Sequence, residues 1–402
     1  MRNILCNIIN PVSIEKAEYL TNHVLSLDGK TILSITSLSD FEGEYEDYSD
    51  CLALPGFIDL HVHLSQYRIR GHYYPALLPW LKQSVFPEES KSRDLDYAQK
   101  LSEDFFIAQL RAGTTCSVIY TAPYREAADA AFFTAQDMGI RALIGMTLMD
   151  QNSPENMLQT TDYAITNSIE LHEKWQTDLL GYIFTPRFAP TCTKTLMQEI
   201  GSYANVNKAF VQTHLSENHA EIAWVKELFQ KESYTDVYQD FGILTSRTLL
   251  GHAIHLSDQE LGTIKASGAK ITHCPDSNFY LKSGEYPLKR IQEAGIPFGL
   301  GSDVGAGTSL NMLYHAKMMN FRQSSDPIMP EEMLYRVTLG SAKLLELEDR
   351  IGSLKPGKDA DIVFLSPPPD VGIDQHSLSQ ICFYGEEFRV KEVLVAGRRH
   401  TF

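Results

Sequence analysis

The sequence predicts an α/β chain: a (β/α)8 TIM-like barrel with a small β-sandwich domain built from both chain termini. Three observations predict it. Apolar strand-like runs begin near Phe57, Thr115, Ala142, Gly181, Ala209, Thr248, Ala269 and Pro297, and helix-patterned stretches separate most of them. Six of these eight runs end in or next to a polar or ionisable residue, as strands do at the catalytic face of a barrel. Both ends of the chain carry short strands, which cannot cover their apolar faces unless they pair with each other. A doubly wound open sheet is the alternative, but no Gly-x-Gly-x-x-Gly follows the first run.

Taken in order, residues 1–54 read as short strands, with a turn at Ser26-Leu27-Asp28-Gly29-Lys30. Pro55 to His63 is an apolar strand ending in two histidines two residues apart, so His61 and His63 share one side. Asp94 to Arg111 places Leu95, Ala98, Leu101, Phe105 and Ala108 at helical steps and stops at Gly113. Glu217 to Lys231 does the same with Ile222, Val225, Leu228 and Phe229. Ser257 and Glu260 have capping-box spacing, and that helix closes at Gly268. Strands return at 359–365 and 390–397. The expected division is 1–54 with 352–402 as the small β domain and 55–351 as the barrel.

Composition excludes several functions. Hydrophobic content is 43% and charged content 21%, as in an ordinary globular protein. A net charge of −16 with no Lys/Arg-rich run argues against a nucleic acid polymer as partner. The six cysteines are scattered and fit reduced core thiols better than disulfides. No stretch approaches ~18 uninterrupted apolar residues, and the first residues lack a signal-peptide core, so a cytoplasmic protein with no membrane partner is expected.

The strand ends carry the chemistry. They are His61 and His63 on the first strand, Arg187 and Phe188 after the fourth, and His214 on the fifth, with Glu217 three residues on. His252 follows on the sixth, His273 on the seventh and Asp303 on the eighth. Three imidazoles and a carboxylate suit zinc or a similar divalent ion with one position left for water. Water on such an ion ionises near neutrality, and a carboxylate outside the ligand set, such as Glu217, is placed to move protons.

With these residues in view the chain resembles the amidohydrolase superfamily: the Pro55–His63 strand, a strand-five His, a strand-six His and Gly301-Ser302-Asp303 match its pattern. The tail from Gly352 to Asp361 resembles its return into the small β domain. Arg187 stands where binuclear members carry a lysine, which points to the mononuclear zinc branch. Within that branch five segments resemble the guanine deaminases: His63-Leu64-Ser65-Gln66-Tyr67, Thr185-Pro186-Arg187-Phe188, His214-Leu215-Ser216-Glu217-Asn218, His273 to Asn278, and Gly301 to Gly305. Trp80-Leu81 followed by Phe86-Pro87-Glu88-Glu89 adds to them. Asp276 departs from the pattern and brings a negative charge near the pocket. Tyr67 to Gly71 also resembles adenosine-type deaminases.

The resemblance implies hydrolysis of guanine to xanthine and ammonia, in purine catabolism or salvage, by a homodimer with one Zn2+ per chain. It implies His61, His63, His214 and Asp303 as ligands, attack on C2 by hydroxide formed on the ion, and Glu217 and Asp303 as proton shuttles. His252 would hold the attacking oxygen, while Gln66, Arg187 and Phe188 bind the purine. Two other readings stand beside it: a mononuclear hydrolase of another amino-substituted heterocycle (an aminopurine, pterin, aminopyrimidine or aminotriazine), and a non-catalytic barrel scaffold. Retention of all four ligands with Glu217 and His252 opposes the second.

Overall fold

The strand Phe57–His63 is buried at every residue, as a strand covered on both faces must be. In the computed structural model, which describes residues 1–324 and 326–402, it pairs in parallel with Thr114–Thr121, and that strand pairs with Arg141–Leu148. Two short pieces, Leu180–Tyr182 and Thr185–Pro186, share the next position. A bridge from Phe184 to Val211 leads to Val211–Leu215, then Thr248–His252, Lys270–His273 and Phe298–Leu300, all parallel. The ring closes where Asp303 N–H donates to the His61 carbonyl and His63 N–H to the Val304 carbonyl, each at 2.8 Å. The eight-stranded barrel is therefore as expected, in chain order.

Local chemistry places the helices. Asp94 accepts from Tyr97 N–H and starts Leu95–Arg111, whose Leu101, Phe105, Phe106 and Leu110 face the core. Ser257 and Glu260 form the expected capping box, and Gly268 closes that helix with φ +75°. One boundary differs. The helix expected from Glu217 runs His219–Phe229, because Asn218 caps it in a capping box with Glu221 of its first turn. Glu217 is thus left in the strand-to-helix turn, where its side chain can face the barrel mouth.

The termini make one seven-stranded sheet in the order Arg398–Thr401, Arg389–Val395, Ile362–Ser366, Glu46–Pro55, Arg2–Ser13, Lys16–Asp28, Thr31–Ser37. Only Arg2–Ser13 and Glu46–Pro55 pair in parallel. The expected sandwich is a continuous sheet curled on itself: Ile32 near one end and Leu394 near the other share a core with Ile4, Leu25, Ala53 and Phe364. Arg141, at the start of the third barrel strand, joins sheet to barrel. Its buried guanidinium donates to Asp359 and Asp361 at 2.9 Å each. All six cysteines are buried and free.

Between the first strand and Leu95 the chain makes only short helical turns. These lay Leu77, Trp80, Leu81 and Val85 across the C-terminal mouth of the barrel, against Phe188, Leu281 and Ala306. An apolar cover of this kind excludes water from whatever lies beneath it.

Candidate active site

Two glycines make room for His61. A Cβ on Gly251 would stand 2.7 Å from His61 Cε1, and one on Gly301 2.5 Å from His61 Cβ. Neither contact is tolerable, so the imidazole occupies space that only glycine leaves at those positions. His63 projects to the same side, with ring centroids 5.1 Å apart. Tyr120 packs against both rings.

His214 shows how the tautomers are set. Its Nδ1 lies 2.6 Å from the Arg187 carbonyl, which can only accept, so Nδ1 carries the proton and Nε2 keeps its lone pair. That Nε2 stands 3.3 Å from His63 Nε2. Asp303 Oδ1 stands 3.3 Å from His61 Nε2 and 3.2 Å from His63 Nε2. Donors bound at ~2.0–2.1 Å around one tetrahedral ion are separated by about 3.3 Å. His61 Nε2 is also buried with no hydrogen-bond partner. Spacing, donor type and this orphaned nitrogen all fit a zinc-like ion, which His61, His63, His214 and Asp303 could hold.

His252 is close enough to compete, since its donor atom lies within 4.8 Å of those of His61, His214 and Asp303. Its surroundings differ. Nδ1 is 2.9 Å from Asn278 Oδ1, and Nε2 is 3.7 Å from both Glu217 Oε2 and Asp303 Oδ2. Burial pulls two of the imidazoles down, His61 to about 4 and His214 well below its usual range. At His252 the Glu217 and Asp303 carboxylates outweigh burial and the net shift is upward. His252 is therefore suited to hold a proton and donate it, His61 and His214 to offer lone pairs. Burial would raise Asp303, but His61, His63 and His252 hold it well below the carboxylate range.

Glu217 is buried, and burial raises its carboxyl. Ser283 donates to its Oε1 at 2.8 Å. A cavity opens here, lined by Glu217, Gln66, Arg187, Phe188, Trp80 and Leu281 among others. All expected site residues except His61 line it; His61 lies beneath, with His273 set apart. His273 is stacked on Tyr286 at 4.0 Å, and burial lowers its imidazole to about 3. Asp276 does not line the cavity. Its carboxylate takes Thr308 N–H and hydroxyl at 2.7 Å each and Tyr314 Oη at 3.1 Å, and so anchors the loop after the eighth strand.

Sequence reasoning gave no role to four residues that hold this site. Asp59 accepts from Ser302 and from the His61 N–H. Asn278 orients His252, and Ser283 orients Glu217. Glu89 accepts from Arg187 Nη1 at 2.7 Å and from Gln66 Nε2 at 2.8 Å. Asp59 lies inside the first-strand motif and Glu89 ends Phe86-Pro87-Glu88-Glu89, so both were within reach; nothing marks Ser283.

The family model for the "Amidohydrolase family" matches residues 52–399. The chain belongs to the amidohydrolase family. Among its relatives, guanine deaminase of Dictyostelium discoideum is 32% identical, over 98% of this chain and 97% of that protein. Guanine deaminase of Escherichia coli (strain K12) is 37% identical over 80% of this chain and 74% of that protein. Solved structures agree. An E. coli guanine deaminase superposes with a TM-score of 0.95 at 30% identity, over 100% of this chain and 99% of that one. A guanine deaminase from C. acetobutylicum, solved with guanine in its active site, gives 0.92 at 27% identity over the whole of both chains. Among the described residues of this amidohydrolase no helix is long and apolar enough to cross a membrane.

Proposed function

We propose that this amidohydrolase is a guanine deaminase, converting guanine and water to xanthine and ammonia. One observation carries the reading: a cavity that sets three imidazoles and a carboxylate at 3.2–3.3 Å spacings beside Arg187 and Gln66. The full-length similarity to guanine deaminases, one solved with guanine bound, supports it.

In this reading His61, His63, His214 and Asp303 hold one Zn2+ per chain, which when bound supplies an acidified water as nucleophile. Arg187 and Gln66 hold the oxo edge of the base and Phe188 covers a ring face. Glu217, with its raised pKa, gives its proton to the ring nitrogen next to C2, so that charge does not build on the ring. His252 donates to the attacking oxygen. Asp303 takes one water proton and passes it towards the leaving amine, the C2–N bond breaks to release ammonia, and the proton left on the C2 oxygen returns to Glu217 as the carbonyl of xanthine forms. The apolar cover keeps bulk water out.

We further assign residues 1–54 with 352–402 to a small β domain and 55–351 to the barrel, and place the enzyme as a cytoplasmic homodimer in purine catabolism. The test is a panel of guanine, other aminopurines, pterins and aminotriazines, assayed for ammonia with zinc-loaded protein. Xanthine from guanine is the expected result. Ammonia from another heterocycle but not from guanine would overturn the assignment.

A further inference from the structure

The short helix Phe86–Glu89 stands behind the cavity wall. Glu89 is 1% exposed, and its carboxylate takes four hydrogen bonds. Oε2 accepts from Arg187 Nη1 at 2.7 Å. Oε1 accepts from Gln66 Nε2 at 2.8 Å, Ser65 Oγ at 3.2 Å and Arg187 Nη2 at 3.3 Å. Phe86, from the same helix, lies 5.4 Å from the Arg187 guanidinium carbon. The helix therefore holds the guanidinium by its fork and over an aromatic ring.

A carboxylate paired with a guanidinium can only accept. That removes the freedom of the Gln66 amide. Its Nε2 must face Glu89, and its Oε1 then faces the Gly305 N–H at 3.4 Å. A flipped amide would set carbonyl against carboxylate and NH2 against N–H. Of the five N–H groups on Arg187, two are used on Glu89, which leaves donors for a ligand.

We propose that Glu89 is a positioning residue that fixes the donor–acceptor order of this wall and thereby selects an oxo rather than an amino group at purine C6. The choice of purine rests on the function proposed above; the geometry of the wall does not. An oxygen at C6 accepts from the Arg187 fork. An amine there sets donor against donor, and a site left with unpaired polar groups rejects such a ligand.

The test uses guanine and 2,6-diaminopurine, which keep the same 2-amino group and differ at the C6 edge. Glu89→Gln is nearly isosteric, yet its NH2 lets Gln66 turn over and loosens Arg187. The guanine to 2,6-diaminopurine ratio of kcat/KM should fall by roughly tenfold or more, within the ~10–100-fold range seen when an orienting partner is lost. KM for guanine should rise more than kcat falls, with zinc content unchanged. Glu89→Asp, which keeps the charge, should recover part of the ratio. A general loss of structure would lower both substrates alike, and an unchanged ratio overturns the proposal.

Calorimetric binding of hypoxanthine and adenine gives a readout that needs no turnover. Wild type should prefer hypoxanthine, and Glu89→Gln should lose that preference. If wild type fails to deaminate guanine, the proposed function falls, while this binding comparison still decides the role of Glu89. Equal preference in wild type and variant, or none in wild type, overturns it.

Discussion

Ser302 donates twice to Asp59: its N–H reaches Oδ1 at 2.9 Å and its hydroxyl reaches Oδ2 at 2.5 Å. Asp59 also accepts from the His61 N–H at 3.2 Å. One fully buried carboxylate thus fastens the eighth strand to the first, one residue from Asp303 and two from His61. Closing a barrel leaves no free edge, so register at this seam decides where both proposed ligands stand.

Asp59→Ala should therefore lower both Tm and zinc content. It strands the buried Ser302 and His61 donors, at about 1–3 kcal/mol for each one left unmade. Ser302→Ala removes only the hydroxyl contact and should cost less. Thermal denaturation with elemental analysis checks the order. Full zinc occupancy in Asp59→Ala would show that the seam does not govern the site.

Glu217→Gln should keep its metal and lose turnover by ~10²–10⁴-fold, the usual contribution of a general acid–base group. The amide can still accept from Ser283 but cannot move a proton. Near wild-type kcat with metal bound would remove Glu217 from the proton path.

Much of this was legible because barrels put chemistry at strand ends. His61, His63, His214, His252 and Asp303 fall there in the sequence, and the structure brings them together. Arg187, Phe188 and Gln66 line the same cavity. What escaped were contacts across long separations. Glu89 meets Arg187 98 residues away and Ser283 meets Glu217 66 residues away, and no periodicity encodes such pairs. Asp276 was placed near the pocket by the family resemblance, but its Thr308 and Tyr314 partners turn it to the neighbouring loop. The start of the helix after Glu217 was set by the Asn218 cap, which the apolar spacing alone did not show.

Gly251→Ala tests whether space, and not only ligand identity, builds the centre. Its Cβ would meet the ring of His61 at Cε1 and Nδ1, while the nearest backbone atom, the Thr213 carbonyl oxygen, stays 3.4 Å away. The ring can yield by rotating, so the barrel should persist while His61 leaves its position. Zinc affinity should fall by roughly 10–100-fold, as when a ligand loses its orientation. Competition with a chelator measures it, and unaltered affinity would mean that His61 accommodates the methyl group without moving.

Arg187→Ala should damage stability and catalysis together. Arg187 lines the cavity and is also the partner of buried Glu89. Breaking a buried ion pair from one side costs roughly 3–5 kcal/mol. A raised KM for guanine should therefore accompany a lower Tm, with metal content retained. Unchanged kcat/KM in the folded variant would take Arg187 out of substrate binding.

Glu221 should make stability fall as pH rises towards neutrality. Its Oε2 accepts from the N–H groups of Glu217 at 2.9 Å and Asn218 at 3.2 Å. Burial, followed by the nearby Glu217 charge, nevertheless raises its carboxyl from 4.5 to about 7. Below about 4.5 the group is protonated in folded and unfolded chains, and its favourable contribution is complete. Between 4.5 and 7 the unfolded chain ionises while the folded one keeps its proton, so stability declines with pH. Above 7 both forms are ionised and the decline stops. Glu221→Gln stays neutral throughout and can accept the same two N–H groups through its carbonyl. Its Tm relative to wild type should therefore be higher at pH 8 than at pH 5, while groups common to both proteins cancel. Parallel denaturation of the two proteins at those pH values measures the difference, and a constant offset would show that Glu221 titrates like an exposed carboxylate.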